Sequence, residues 1–325
     1  MRLTRVTTLL HNADLLIIGF ALILSLINII FAARIPTWWI LILINIAVSG
    51  LICLLGFERH RTGSRVLRMI HEWYHAPVVF LSFKELYFMI KPIHSGRDYD
   101  DVLIAIDHWI FGTDPTQWLM QFSHPVVTEI LQAAYTLFYF LFLIVGYQFY
   151  KKGRIDLFLY FMFTIIYGFF LSYLGYFFLP AVGPRFTLHD FASLNTELPG
   201  VFLTRYMRWF VNFGGSVPMG VPNAVAIAGT QRDVFPSGHT MMTLVLMYLS
   251  GHWKIPSRFV IYVIGTLLII ATVYQRYHYV IDLIGGFVFM ILCVSTSWPL
   301  YVWMKRTFDT IENRPGNGAD TTERR

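Results

Sequence analysis

The chain has 325 residues, 56% of them hydrophobic and only 14% charged, against about 25% charged in a typical soluble domain, which excludes a soluble globule and implies a polytopic membrane protein. The net charge of +6 lies in short clusters between apolar spans, without a basic-aromatic stripe, and so argues against a nucleic-acid partner. Cys53 and Cys293 both fall inside apolar spans, which argues against a disulfide framework and leaves the redox compartment open.

In chain order, the expected spans are 14–33, 38–57, 72–92, 126–149, 156–180, 237–252, 257–275 and 279–304. The first follows Arg2 and Arg5 like a signal peptide, but its apolar run exceeds the usual length of such a core, so it reads as a retained anchor. Lys84 and Glu85 interrupt the third span, and the sixth is short. The segment from Asp107 reads as an interfacial helix stopping at Gly112, after which Thr113-Asp114-Pro115 starts another short helix. The tail from Asn313 is polar and Gly/Pro-punctuated, the composition of a disordered end.

Basic residues cluster after the second, fourth, sixth and eighth spans: Arg59 to Arg68, Lys151 to Arg154, Lys254 with Arg258, and Lys305 with Arg306. The positive-inside rule makes these loops and both termini cytoplasmic. Arg185, His239, His278 and Asp282 then share the opposite face, although none of them was used to set the topology.

The chemistry-bearing residues sit at the ends of apolar spans. His278 and Asp282 are four apart, on one helix face, so the carboxylate can hold one ring nitrogen and leave the other as a nucleophile. A structural polar pair inside a bundle is the plainer alternative. Pro236-Ser237-Gly238-His239 makes a turn into a helix whose first N–H groups face an anion; Ser237 adds a hydroxyl and His239 a proton donor. Alone, this turn is equally an ordinary capped helix start. Arg185, after Pro180, Gly183 and Pro184, offers a forked donor for phosphate oxygens, and Arg276 offers a second; either alone reads as a snorkelling interfacial arginine.

Together these motifs resemble the phosphatidic acid phosphatase type 2 superfamily. Pro236 to His239 matches its central motif, His278 and Asp282 match its last, and Arg185 matches the arginine of its first. Phe178 stands where the family has lysine, Phe186 where it has proline, and Thr272 where it has a distant arginine. These departures resemble the branch containing inositol phosphorylceramide synthase, as do the Asp107 to Trp118 and Glu72-Trp73-Tyr74 stretches. The resemblance covers roughly 70–300. It implies an all-α transmembrane bundle of about eight spans with a six-helix phosphatase-like core. The expected division is a hairpin and basic loop at 1–70, a catalytic domain at 71–304 and a tail at 305–325. It further implies a metal-independent, cofactor-free reaction on a lipid phosphate. His278 would be nucleophile, Asp282 its orienting acid and His239 the general acid. Arg185, Ser237, Gly238 and Arg276 would be the phosphate contacts.

The expected function is a lipid phosphatase working through a phosphohistidine at the non-cytoplasmic face. The alternative is a phosphotransferase moving a phospho-headgroup of the inositol phosphate type between lipids. Lacking an organelle signal, the chain reads as a bacterial inner-membrane protein with its site towards the periplasm. An anion transporter using the same residues would form no covalent intermediate. His71-Glu72-Trp73-Tyr74-His75 fits a zinc-protease pattern, but it lies on the cytoplasmic side without an obvious third ligand. The lipid's identity and the oligomeric state have no code in the sequence.

Overall fold

A computed structural model describes residues 9–312, and among them every regular element is a helix. In chain order these are α1 (Asn12–Ile30), α2 (Trp38–Thr62), α3 (Arg65–Trp73), α4 (His75–Ile93), α5 (Asp100–Phe111), α6 (Pro115–Trp118), α7 (Pro125–Thr136) and α8 (Phe138–Lys151). They continue as α9 (Ile155–Gly175), α10 (Pro184–Thr187), α11 (Leu194–Glu197), α12 (Thr204–Gly214), α13 (Asn223–Gly229), α14 (Gly238–His252), α15 (Arg258–Tyr274) and α16 (Val280–Glu312). The tail from Asn313, expected to be disordered, lies outside the described residues.

All eight expected spans are mostly helical, although 72–92 is broken at Tyr74, 126–149 at Leu137, and the helix in 156–180 ends at Gly175. By length and composition, α1, α2, α9 and α16 can each cross a bilayer, and α7 with α8 can do so as one span bent by 49°. The others differ for local reasons. α15 is apolar but 17 residues long, and α14 has 15. α4 carries Lys84 and Glu85, and the fold absorbs both. Glu85 accepts hydrogen bonds from Asn28 (3.0 Å) and Asn45 (2.9 Å), a buried polar clamp joining α4 to α1 and α2. Lys84 reaches out of the bundle to the Gly214 carbonyl and the Ser216 hydroxyl.

α9 is the central helix, packed against α1, α4, α8, α14 and α16. One core cluster joins its aromatic residues to α1, with Phe20 stacked on Phe170 at 3.9 Å between ring centres. A second joins Phe158, Phe161 and Ile165 to Met241, Met242 and Val245 of α14. The long 181–236 connection folds into four short α-helices and one 3-10 turn (Phe191–Ser193), whose apolar residues pack over Tyr135, Tyr274 and Tyr277.

The 93–125 segment bears out the expected pair of helices: α5 ends at Gly112 with φ +68°, and Asp114 is the residue before Pro115 in α6. Its aspartates do more than set charge. Asp107 accepts from the backbone N–H groups of Val280 and Ile281, both at 2.8 Å, so α5 caps α16. Asp100 accepts from the N–H groups of Val182 (3.0 Å) and Gly183 (2.8 Å) and from the Tyr279 hydroxyl (2.8 Å). Asp98 forks onto Arg232 at 2.9 and 3.1 Å.

Because Asp107 supplies both acceptors for the first turn of α16, Asp107→Ala is expected to destabilise the fold by about 1–2 kcal/mol. Asp101→Ala, whose 70%-exposed side chain is 3.8 Å from Arg97, should stay within about 0.5 kcal/mol of the parent. Denaturant unfolding in detergent micelles compares the two; equal effects would reject the capping role.

Candidate active site

The site forms where three chain segments meet at one end of α9. The first is the 181–185 turn. Gly183 has φ +96°, and a Cβ there would lie 2.9 Å from the Tyr277 carbonyl, so a side chain is excluded twice over. The Arg185 N–H then donates to the Arg276 carbonyl at 3.1 Å, tying this turn to the next segment but one. The Arg185 side chain stands over the rings of Phe186 (4.8 Å) and Tyr277 (5.1 Å) and donates from Nη1 to Asn212 at 3.0 Å. Its Nε is buried without a protein partner.

The second segment is the turn entering α14. The Ser237 hydroxyl accepts from the Thr240 N–H at 3.2 Å, so this serine is the N-cap. The turn is clamped by close backbone packing: a Cβ on Gly175 of α9 would lie 2.6 Å from Pro236, and one on Gly286 of α16 2.7 Å from the Ser237 carbonyl. Gly238 is equally confined, with Tyr176 Oη 2.4 Å from an added Cβ. His239 projects from the first turn of α14. Its Nδ1 is 3.3 Å from Tyr135 Oη, and its ring stacks on Tyr135 at 4.5 Å. Nε2 is buried and has no protein partner.

The third segment carries His278 ahead of α16. His278 Nδ1 lies 3.0 Å from the Val234 carbonyl and 3.4 Å from Asp282 Oδ2. The backbone carbonyl is the nearer acceptor, and Asp282 Oδ2 also accepts the Tyr279 N–H at 2.8 Å. With Nδ1–H held by two oxygens, Nε2 carries the lone pair. Burial lowers the His278 pKa to about 4, so the ring is neutral at pH 7. The His239 and His278 ring centres are 6.0 Å apart.

The structure therefore brings Arg185, Ser237, Gly238, His239, His278 and Asp282 together. Arg276 is placed differently. It is fully buried with φ +64°, and its Nη1 pairs with Glu197 at 2.5 Å. Glu197 on α11 holds that one nitrogen, while Nε and Nη2 are buried without a protein partner.

Arg185, Gly238 and His239 line one end of a cavity of ≈ 320 Å³. From there it runs between α4, α8 and α9 past Phe138, Phe142, Ile165 and Phe169 to Trp73 and His75. Its flanks include Phe80 (46% exposed) and Leu143 (44%), so it opens sideways from the bundle.

Several residues around the site are not singled out by sequence reasoning: Asp100, Asp107, Tyr135, Asn212, Asp233 and the Val234 carbonyl. The aspartates gave one signal, acids in an interfacial loop with few bases; the carbonyl gave none.

The zinc-protease pattern meets a different environment. His71 and His75 turn Nε2 towards Asp14 of α1, at 3.1 and 3.7 Å, and Tyr74 donates to the same carboxylate at 2.6 Å. Asp14 is thus the acidic neighbour that the motif alone did not reveal. No group of three or more His, Cys, Asp or Glu among the described residues has a metal-holding arrangement.

No curated protein and no solved structure matches the chain. The sequence profile of the PAP2 superfamily matches residues 101–296, a stretch that begins in α5, contains the Arg185, Pro236–His239 and His278–Asp282 segments and ends in α16. A helical membrane bundle that converges these three segments, together with a family match over more than half of its length, makes this chain a member of the PAP2 superfamily.

Proposed function

We propose that the protein is a membrane enzyme that transfers the phosphoryl group of a lipid phosphate through His278, at the non-cytoplasmic face. The observation that carries this reading is the continuity of the cavity. Arg185, the N-terminus of α14 and His239 occupy one end, with the His278 ring centre 6.0 Å from that of His239, and an aromatic-lined groove leads away from them and opens sideways. A soluble phosphate ester has no use for the groove, and an apolar ligand without phosphate has no use for Arg185.

In the first half-reaction the His278 Nε2 lone pair attacks phosphorus and a P–N bond forms. The P–O bond to the lipid alcohol breaks, and its electron pair stays on that oxygen, which takes a proton from protonated His239. Arg185 and the first N–H groups of α14 face the equatorial oxygens. In the second half-reaction water or an alcohol gives its proton to His239 and attacks phosphorus, and the P–N bond breaks to return neutral His278. Asp282 and the Val234 carbonyl hold the imidazole in one tautomer throughout. The same residues serve hydrolysis and transfer; only the acceptor differs. Arg276, whose Nη1 is paired with Glu197, is assigned no phosphate contact.

His278→Ala is expected to lower turnover of phosphatidate in detergent by at least about 10³-fold and to abolish an acid-labile phosphoenzyme. His239→Ala is expected to lose about 10²–10⁴-fold. Undiminished turnover by the His278 variant would sink the mechanism.

Sequence alone predicts a bell-shaped pH profile with two limbs in the histidine range. The buried environment of His278 shifts its own limb downward. The nucleophile is neutral, and so active, above about pH 4 and is lost as pH falls through that value. Single-turnover phosphoenzyme formation, corrected for substrate ionisation, should show this limb; a His278 limb near the ordinary histidine value would contradict the assignment.

Along α9 the lining runs from Phe161 to Tyr176, which at the helical rise is about 22 Å and exceeds the roughly 15 Å of hydrocarbon in one leaflet. The lining is therefore long enough to run beside an acyl chain. Met162→Trp, at the far end, is expected to shift preference towards shorter chains by several-fold in kcat/KM without changing turnover of a short-chain phosphate. An unaltered chain-length profile would argue against the groove as the chain's seat.

A further inference from the structure

Two rings pack on His239. Tyr135 stacks on it at 4.5 Å between centres and 22° between planes, and Phe138 lies against it at 4.5 Å. Both belong to the broken span: Tyr135 is near the end of α7, Phe138 opens α8, and the 49° bend falls between them. Thr136 contributes to that bend. Its hydroxyl donates to the Gln132 carbonyl at 2.8 Å, a back-bond of the kind that bends helices. The stack continues past Tyr135. Tyr277 stacks on Tyr135 at 4.3 Å, and the Arg185 guanidinium stands 5.1 Å from the Tyr277 ring centre. The Tyr277 hydroxyl donates to the Gln132 side chain at 3.2 Å. One column of imidazole, phenol, phenol and guanidinium thus sets His239 and Arg185 from the same helix, α7.

Stacking alone gives no reason for a hydroxyl on Tyr135. The residue is 3% exposed, and a phenol buried without a partner is costly. Among the described residues the hydrogen-bond partner of its Oη is His239 Nδ1, at 3.3 Å. His239 Nε2 has no protein partner, and the residue lines the cavity. The ring therefore has one nitrogen on a protein hydroxyl and the other left for a ligand.

A phenol can give or take a hydrogen bond, but an imidazolium carries hydrogen on both nitrogens. In that form Nδ1–H donates and Tyr135 Oη accepts. When Nε2 passes its proton to the leaving oxygen, Nδ1–H stays in place and the lone pair appears on Nε2. The same Nε2 then takes a proton from the entering water or alcohol. The acceptors on His278 Nδ1 are of another kind, a carbonyl and a carboxylate, and a carboxylate favours a cationic ring. A neutral phenol favours it less and leaves the protonated His239 the stronger acid.

We infer that Tyr135 is a positioning residue for His239: its hydroxyl holds Nδ1–H, so that Nε2 alone exchanges the proton with the leaving and entering oxygens. The inference rests on the proposed function for the role of His239 as proton donor.

The test compares two phosphate monoesters on the full-length protein in detergent: phosphatidate, and a nitrophenyl phosphate bearing an alkyl chain. Diacylglycerol departs only with a proton, whereas the nitrophenolate departs without one. Their kcat/KM values report the half-reaction that expels the leaving group. Tyr135→Phe keeps the ring and removes the hydroxyl. It is expected to lower kcat/KM for phosphatidate about tenfold or more, the range of one hydrogen bond to a charged group. The nitrophenyl ester should stay within about twofold of wild type, which also reports that the variant is folded. His239→Ala should show the same selectivity with a larger loss on phosphatidate. Equal losses on both esters in Tyr135→Phe, or no loss on either, overturn the inference, because a merely structural ring moves both or neither. If His239→Ala itself shows no selectivity, the donor role falls and the inference with it. Selectivity in His239→Ala without selectivity in Tyr135→Phe rejects the inference alone. Failure of the phosphohistidine reading appears separately, as turnover that survives His278→Ala.

Discussion

Everything at the site depends on how a few carboxylates hold backbone N–H groups at the ends of membrane helices. A helix entering a low-dielectric region leaves its first donors without partners, and water cannot supply them once the end is buried. Here Asp107 takes the first two donors of α16, Asp282 takes the Tyr279 N–H, and Asp100 takes those of Val182 and Gly183. Asp100 also accepts the Tyr279 hydroxyl, so one carboxylate fixes the Arg185 turn against the His278 segment. Arginine and histidine are long side chains, and their relative position is only as good as the backbone beneath them. The geometry proposed to stabilise a phosphoryl group is therefore braced from α5, a helix to which the proposed chemistry assigns no reacting residue.

The same economy of polar groups shapes the bundle. Buried Glu85 is tolerated because two asparagines from two other helices reach it, and Asp14 because Tyr74 and two histidines surround it. These clusters hold α1, α2 and α4 to the rest without narrowing the space between α4 and α8. That space is the lateral groove. Its mostly apolar length and the polar end at Arg185 and His239 make one continuous surface for an amphipathic ligand, which is why fold and proposed chemistry point the same way.

Much of this was legible in the primary structure, residue by residue. The apolar periods located the helices, and the Pro236–His239 and His278–Asp282 spacings placed their side chains at helix entrances. What misled were local patterns whose meaning depends on neighbours. Lys84 and Glu85 looked like breaks in a span, but they are a tether to α12 and a clamp between helices. Arg276 looked like a second phosphate ligand, yet a left-handed backbone turns it to Glu197, about eighty residues earlier in the chain. The pattern around His71, set aside as a zinc site for want of a third ligand, faces Asp14 of α1, an acid from another helix that a linear motif cannot show.

Sequence by itself determined the class of molecule, the helical segments and the candidate reactive groups, because hydropathy, helix period and side-chain chemistry are local properties. Only the tertiary structure decided that His278 is held chiefly by a backbone carbonyl, that Asp100 and Asp107 brace the site, and that Asp233 shares a cavity with Arg185. These are contacts between segments tens to hundreds of residues apart. Their existence depends on how α9 gathers its neighbours, and no spacing along the chain encodes that packing.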